Sequence, residues 1–502
     1  MNMNIQRREF LQTSAALGLG VGLGLPARLI TPARGEAMVV KPDAVRLRPE
    51  IEPVVRWIEE TPRDKILDTA IGHLKAGLSY RELMAGLFLA GIRNIKPRPV
   101  GFKFHAVMVI HSAHLLGQTA DVNERLLPML WALDEFKASQ SADVREGDWT
   151  LANVDETHLP KPSQAKAEFV KAMEAWDADA ADAATASLCR SAGAAEVMEP
   201  FWRYAIRDQR NIGHKAIFAA QSWRTLQTIG WPNAEPVLRS LAFGILDREG
   251  DQGRNSVGPY DANLALSKTI NENWTRGKPD PSATLALVQA LRTAKPEAAS
   301  ADVAALLNRG VSPDSLWDGV LMAGSELLLR KPGIIALHAM TSANALHFIF
   351  GASGDDTTRK LALLQAAGWL ALFRDAIGGA PPFALENVNV EVGEVRDQDL
   401  NEIFTTIATS RQKAAEKALN YLSSGGSPES IFAMGRKLIF HKGTNSHDYK
   451  YAAAAWEESV LASDPRSRKF LTAASMGNFP PSTAKDSPLM DRAREAVAKV
   501  FS

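Results

Sequence analysis

Apolar positions recur along most of this chain at three- and four-residue intervals, the spacing that lines one side of an α-helix. Leu83, Leu87 and Ala90 make such a stripe behind Ser79, and Glu82 stands three residues past that serine, the arrangement of a reciprocal N-terminal cap. The same pattern predicts helices over 51–58 and 64–74, with Gly77 as a stop. After a break at Arg98, Pro99 and Gly101, FKFHAVMVIHSAHLL is apolar enough for a buried helix. KAEFVKAMEAWDADAADAATASLCR is helical by propensity. NIGHKAIFAAQSWRTLQTIGW reads as a helix entered through Gly213. Further helices are expected over 264–270, 282–293, 301–307, 360–375, 401–421 and 487–500, and another begins at Pro428 behind a Ser427 cap. Two stretches break the rhythm. Residues 134–160 carry scattered polar groups and are expected to be irregular, and the glycine-rich 247–261 is expected to be a loop. A short strand at 388–392 competes with an all-helical remainder, and the helical reading is preferred.

The pattern also repeats. Gly77 to His114 and Gly310 to His347 share one ungapped layout at an offset of 310 − 77 = 233. At that offset Ser79 faces Ser312, Gly86 faces Gly319, Pro99 faces Pro332, His105 faces His338 and His114 faces His347. The register carries on to His214 and His447, Trp223 and Trp456, and Pro232 and Pro465. These matches predict a mainly all-α protein of internally duplicated helical units with pseudo-twofold symmetry. The division expected is 1–37 as an export signal, 38–62 as an extension, 63–295 as the first unit and 296–502 as the second.

Composition narrows the function classes. With 57 basic and 57 acidic residues the formal net charge is zero, which argues against a nucleic-acid partner. Cys189 is the single cysteine, so intrachain disulfides, thiolate clusters and CxxC redox pairs are excluded. Its counterpart at the offset is Leu422, which favours packing over catalysis. The glycines of DREGDQGRN match neither nucleotide-binding pattern. HExxH, an EF-hand loop, CxxCH and paired ExxH helices are likewise missing.

The opening QRREFLQTSAALGLGVGLGLPARLI resembles a twin-arginine export signal: Arg7 and Arg8 precede Phe10 and Leu11, and an apolar stretch follows. It departs from that pattern at Gln12, where lysine is frequent. Gly35, Glu36 and Ala37 offer a processing site. The resemblance implies passage through the twin-arginine machinery to the periplasm, a mature chain that does not span the membrane, and commonly a cofactor acquired before export.

Histidine is the residue type that carries candidate chemistry, as a metal ligand, a hydrogen-bonding group or a proton carrier near neutral pH. The repeated His105, His114, His214, His338, His347 and His447 are the candidate ligands of a transition metal or a noncovalent haem. His111, opposite Asn344, and His441, opposite Asp208, break the repeat and are candidates for proton handling. The competing reading is a set of core histidines satisfied by backbone or carboxylate partners. Lys442, Tyr449, Lys450 and Tyr451 are expected on a solvated face, Glu457 and Glu458 on the polar side of their helix, and Trp223 and Trp456 in packing roles. The function expected is an exported oxidoreductase acting on a small organic molecule. The alternatives are a noncatalytic ligand-binding or structural protein and a cofactorless hydrolase or lyase.

Overall fold

A computed structural model describes residues 43–248, 258–379, 381–396 and 398–501. The export motif and the glycines Gly250 and Gly253 lie outside the described residues. What is described is almost entirely helical, and its extended pairings are two isolated bridges, Ala44 with Ala152 and Lys278 with Val311.

The local rules account for the helix starts. Ser79 accepts from the Glu82 N–H at 3.2 Å while the Glu82 carboxylate accepts from the Ser79 N–H at 2.8 Å, opening the helix Tyr80–Asn94. At Pro313–Arg330 the Ser312 hydroxyl still caps, through the Asp314 N–H, although no carboxylate returns the bond. Ser427 caps Pro428–Lys442 through the Ser430 N–H.

Three expectations need correction. The irregular stretch expected from 134 is helix as far as Glu146, because Leu127–Glu146 buries Leu130, Leu133 and Phe136 and pairs its polar groups inward, Asp134 with Arg63 and Lys137 with the carbonyls of Ile58 and Glu59. The single helix expected over 401–421 is two, Asp399–Thr406 and Arg411–Ser423, since the Ser410 hydroxyl caps a fresh start through the Lys413 N–H. Residues 388–392, expected to be helical rather than a strand, are neither helix nor strand; they run beside the second of these helices, where Asn420 accepts from the Glu391 N–H.

Five helices in four segments make the centre: the consecutive pair His105–Met108 and Ile110–Gln118, counted as one segment, then His214–Ile229, Ile334–Ala352 and Ser446–Leu461. His214–Ile229 packs on Ile334–Ala352, that helix on Ser446–Leu461, and that one on Ile110–Gln118, which returns to His214–Ile229 and closes the circuit. Ile334–Ala352 is long and apolar enough to cross a membrane by length and composition, and 78% of that stretch is buried within the protein. Its apolar surround is therefore that of a core helix.

The outer helices follow the 233-residue register. Tyr80–Asn94 and Pro313–Arg330 start at 313 − 80 = 233, and Ala178–Ser191 and Arg411–Ser423 at 411 − 178 = 233. Tyr260–Ser267 packs against Pro296–Asn308 and Asp356–Ile377, whereas Pro488–Phe501 packs against Ile66–Lys75 and Leu127–Glu146. Each of these two helices thus sits on elements that the 233-residue offset sets, to within four residues, against those that hold the other.

Candidate metal centre

Each of the four central segments brings one histidine to the same point. His105 and His214 open their helices, His338 lies in the first turn and a half of Ile334–Ala352, and His447 is the second residue of Ser446–Leu461. Their ligand nitrogens all lie within 4.8 Å of one another. Left-handed backbone at Phe102 (φ 45°), Asn211 (φ 53°) and Ile212 (φ 50°) surrounds the entries to two of these helices, a costly conformation that clusters at functional sites. Gly101, at φ 121°, has a backbone that other residues rarely adopt, and a Cβ there would crowd the His214 ring at 3.1 Å.

Hydrogen bonds fix the tautomers. Nδ1–H of His105 donates to the Phe102 carbonyl at 2.7 Å, that of His214 to the Asn211 carbonyl at 2.5 Å, and that of His338 to the Ile334 carbonyl at 2.7 Å. A carbonyl only accepts, so the proton sits on Nδ1 and the Nε2 of each neutral ring presents a lone pair. His447 Nδ1 faces the Asn445 amide oxygen at 3.2 Å, and its Nε2 is buried without a hydrogen-bond partner among the described residues. Nε2 of His214 lies 3.0 Å from that of His105 and 2.9 Å from that of His338. Lone pairs this close repel unless a cation or a shared proton lies between them.

Protonation is disfavoured. Burial, with the neighbouring Lys450 and the other rings adding to it, holds His105, His214 and His338 well below the usual histidine range. Burial and then Lys450 bring His447 down to about 3. The set is therefore neutral at physiological pH, the state in which histidine binds a metal. Nδ1–H bonds to carbonyl oxygens are also the outer contacts that orient metal-binding imidazoles.

Lys450, Tyr449 and Tyr451 are buried rather than on a solvated face, because Ser446–Leu461 is enclosed on nearly all sides. Burial lowers Lys450 to about 7, and its amine has no hydrogen-bond partner among the described residues. The clue in the sequence was position: Lys450 is three residues past His447, on the same helix face. Asn445 was the other residue missed. With Asp448 it forms a capping box at the start of that helix, and the N-x-x-D spacing announces it.

The remaining histidines sit elsewhere. Nδ1–H of His347 donates to Glu458 at 2.7 Å, and its ring stacks on Trp317. Glu458 and Glu457 both accept from Asn344, at 2.8 and 3.1 Å, and Glu457 takes Arg224 at 2.9 Å. Both carboxylates are thus buried, not on a polar helix face, and each has a cation or amide to answer it. His114 Nδ1 meets the Tyr80 hydroxyl at 3.2 Å, and His111 lies beside it with ring centres 6.0 Å apart. Burial, followed by Arg224 and His114, keeps His111 well below its usual range. His441 lies between Glu124, which accepts from its Nε2–H at 3.1 Å, and Arg494, which donates to its Nδ1. Cys189 is partly buried, and burial pushes its thiol up, away from reactivity. Trp223 and Trp456 pack against the core.

No family model, curated protein or solved structure matches this chain.

Proposed function

We propose that the protein is a metalloprotein that holds one non-haem transition-metal ion on His105, His214, His338 and His447. The observation that carries this is the convergence of one ligand nitrogen from each of four histidines, three of them with the ring proton pinned on Nδ1 by a backbone carbonyl so that Nε2 is free to bind. A haem accepts at most two axial ligands, so four imidazoles directed at one point favour a bare ion. A redox-active metal there would supply electron transfer, and the chain's own residues hold and orient it.

The wider reading is an exported oxidoreductase acting on a small organic molecule. Arg7, Arg8, Phe10 and Leu11 support export to the periplasm with 1–37 removed. An apolar substrate is supported by Phe102, 76% exposed, and Ile334, 48% exposed, which supply the carbonyls that orient His105 and His338. His111 and His441 remain the proposed proton carriers. The noncatalytic alternative rests on the same metal site with no substrate turned over.

The chain is also proposed to be a duplication of units 63–295 and 296–502, related by a pseudo-twofold axis through the metal site. The register of helices and the reciprocal seating of Tyr260–Ser267 and Pro488–Phe501 support it. On this reading each unit donates two ligands, and neither holds the metal alone.

The test is purification of the exported chain, elemental analysis, and dioxygen-consumption assays with apolar ring compounds. The oxidoreductase reading expects bound metal, turnover lost on chelation, and a raised KM in Phe102→Ala. Metal without turnover of any compound favours the noncatalytic alternative.

A further inference from the structure

The arrangement of the four rings carries more than the presence of a metal. Ring centres are 4.8 Å apart for His105 and His214, 4.4 Å for His214 and His338, 5.2 Å for His338 and His447, and 4.5 Å for His447 and His105. These four contacts close a circuit. Across it, His105 and His338 are 6.3 Å apart, longer than every edge. In a regular tetrahedron all six separations are equal, whereas flattening toward a square lengthens those across it, as the His105–His338 separation is lengthened here. The nitrogens of His105, His214 and His338 agree. For a metal–nitrogen bond of about 2.1 Å, ligands at right angles are ~3.0 Å apart and tetrahedral ligands ~3.4 Å apart. The two Nε2 separations here are 3.0 and 2.9 Å.

We infer that the four histidines form an equatorial belt, leaving coordination positions above and below it, in contrast to the closed tetrahedron of a structural zinc site. The inference rests on the metal reading above and deepens it. Such a belt suits copper(II) or nickel(II), or a six-coordinate iron, manganese or cobalt ion, with an axial position open to a small exogenous ligand. The belt is held by construction: His105, His214 and His338 are tethered through Nδ1 to carbonyls of their own helix entries, so each ring has a fixed tilt. Gly101 keeps the approach to the His105 and His214 rings free of a side chain. His447, the partly exposed member, marks the side nearer solvent.

The experiment loads the full-length, metal-free protein with cobalt(II) and records the visible spectrum before and after azide. The belt predicts one cobalt per chain, weak visible bands of a five- or six-coordinate ion, and a spectral change on azide addition. The intense bands of tetrahedral cobalt(II) would overturn the belt and leave the metal reading standing. Failure to retain cobalt in elemental analysis would remove the metal reading itself, so the two failures are distinguishable.

Discussion

The two ends of the central helices hold buried polar groups of opposite character. At the entry end stand His105, His214, His338 and His447; six to eleven residues further along their helices, about 9–16 Å at the rise of an α-helix, stand Arg224, Asn344, Glu457, Glu458 and His347. At the far end every principal group is answered: Arg224 by Glu457, Asn344 by both glutamates, His347 by Glu458. At the entry end the outward nitrogens are answered and the inward ones face each other. A buried histidine is thus a ligand candidate or a core residue according to where its second nitrogen points, and burial alone does not distinguish them.

Substitution should separate the ends most sharply. His214→Ala is expected to lower metal affinity by at least about a hundredfold while the apo-protein keeps its helicity, whereas His347→Ala should leave metal content unchanged and lower stability. Elemental analysis and denaturant unfolding on both variants would check this. Next in size, Arg224→Ala leaves Glu457 buried without its cation, held by the Asn344 amide, and should destabilise by about 3–5 kcal/mol. Burial already raises that carboxyl's pKa, so the loss should be partly relieved in acid. Arg224→Met with Glu457→Leu should recover most of the stability.

Acid offers a smaller and broader test. Burial lowers His114 from 6.5 to about 4, so the unfolded chain takes up its proton at a higher pH than the folded one. Its contribution to apo-protein stability is fully present above pH 6.5 and is lost as pH falls from 6.5 toward about 4. Urea midpoints at several pH values should fall across that window, and His114→Gln should flatten part of the fall. Smallest of all, Asn445→Ala removes the partner of His447 Nδ1 and a helix cap. It should weaken metal binding about tenfold and cost ~1 kcal/mol, whereas Asn344→Ala should leave metal affinity alone.

Much of this was legible from residues alone. Helix periodicity and caps such as Ser79 with Glu82 gave the fold class, because they act within a few residues. The offset of 233 singled out six histidines, and four of them meet. What periodicity could not reveal was which four. His105 and His114 are nine residues apart on neighbouring segments of one helical stretch, and only the packing of separate helices sends one to the ring and the other to Tyr80. The burial of Lys450, Glu457 and Glu458 was hidden for the same reason: charged residues look solvated in sequence until a partner helix encloses them.

The account turns on metal content. Elemental analysis of the wild-type protein, purified without chelator beside His214→Ala, should find one transition-metal ion per wild-type chain and almost none in a variant of unchanged helicity. A wild-type chain that carries no metal and takes none up, or a variant that keeps the full complement, would contradict it.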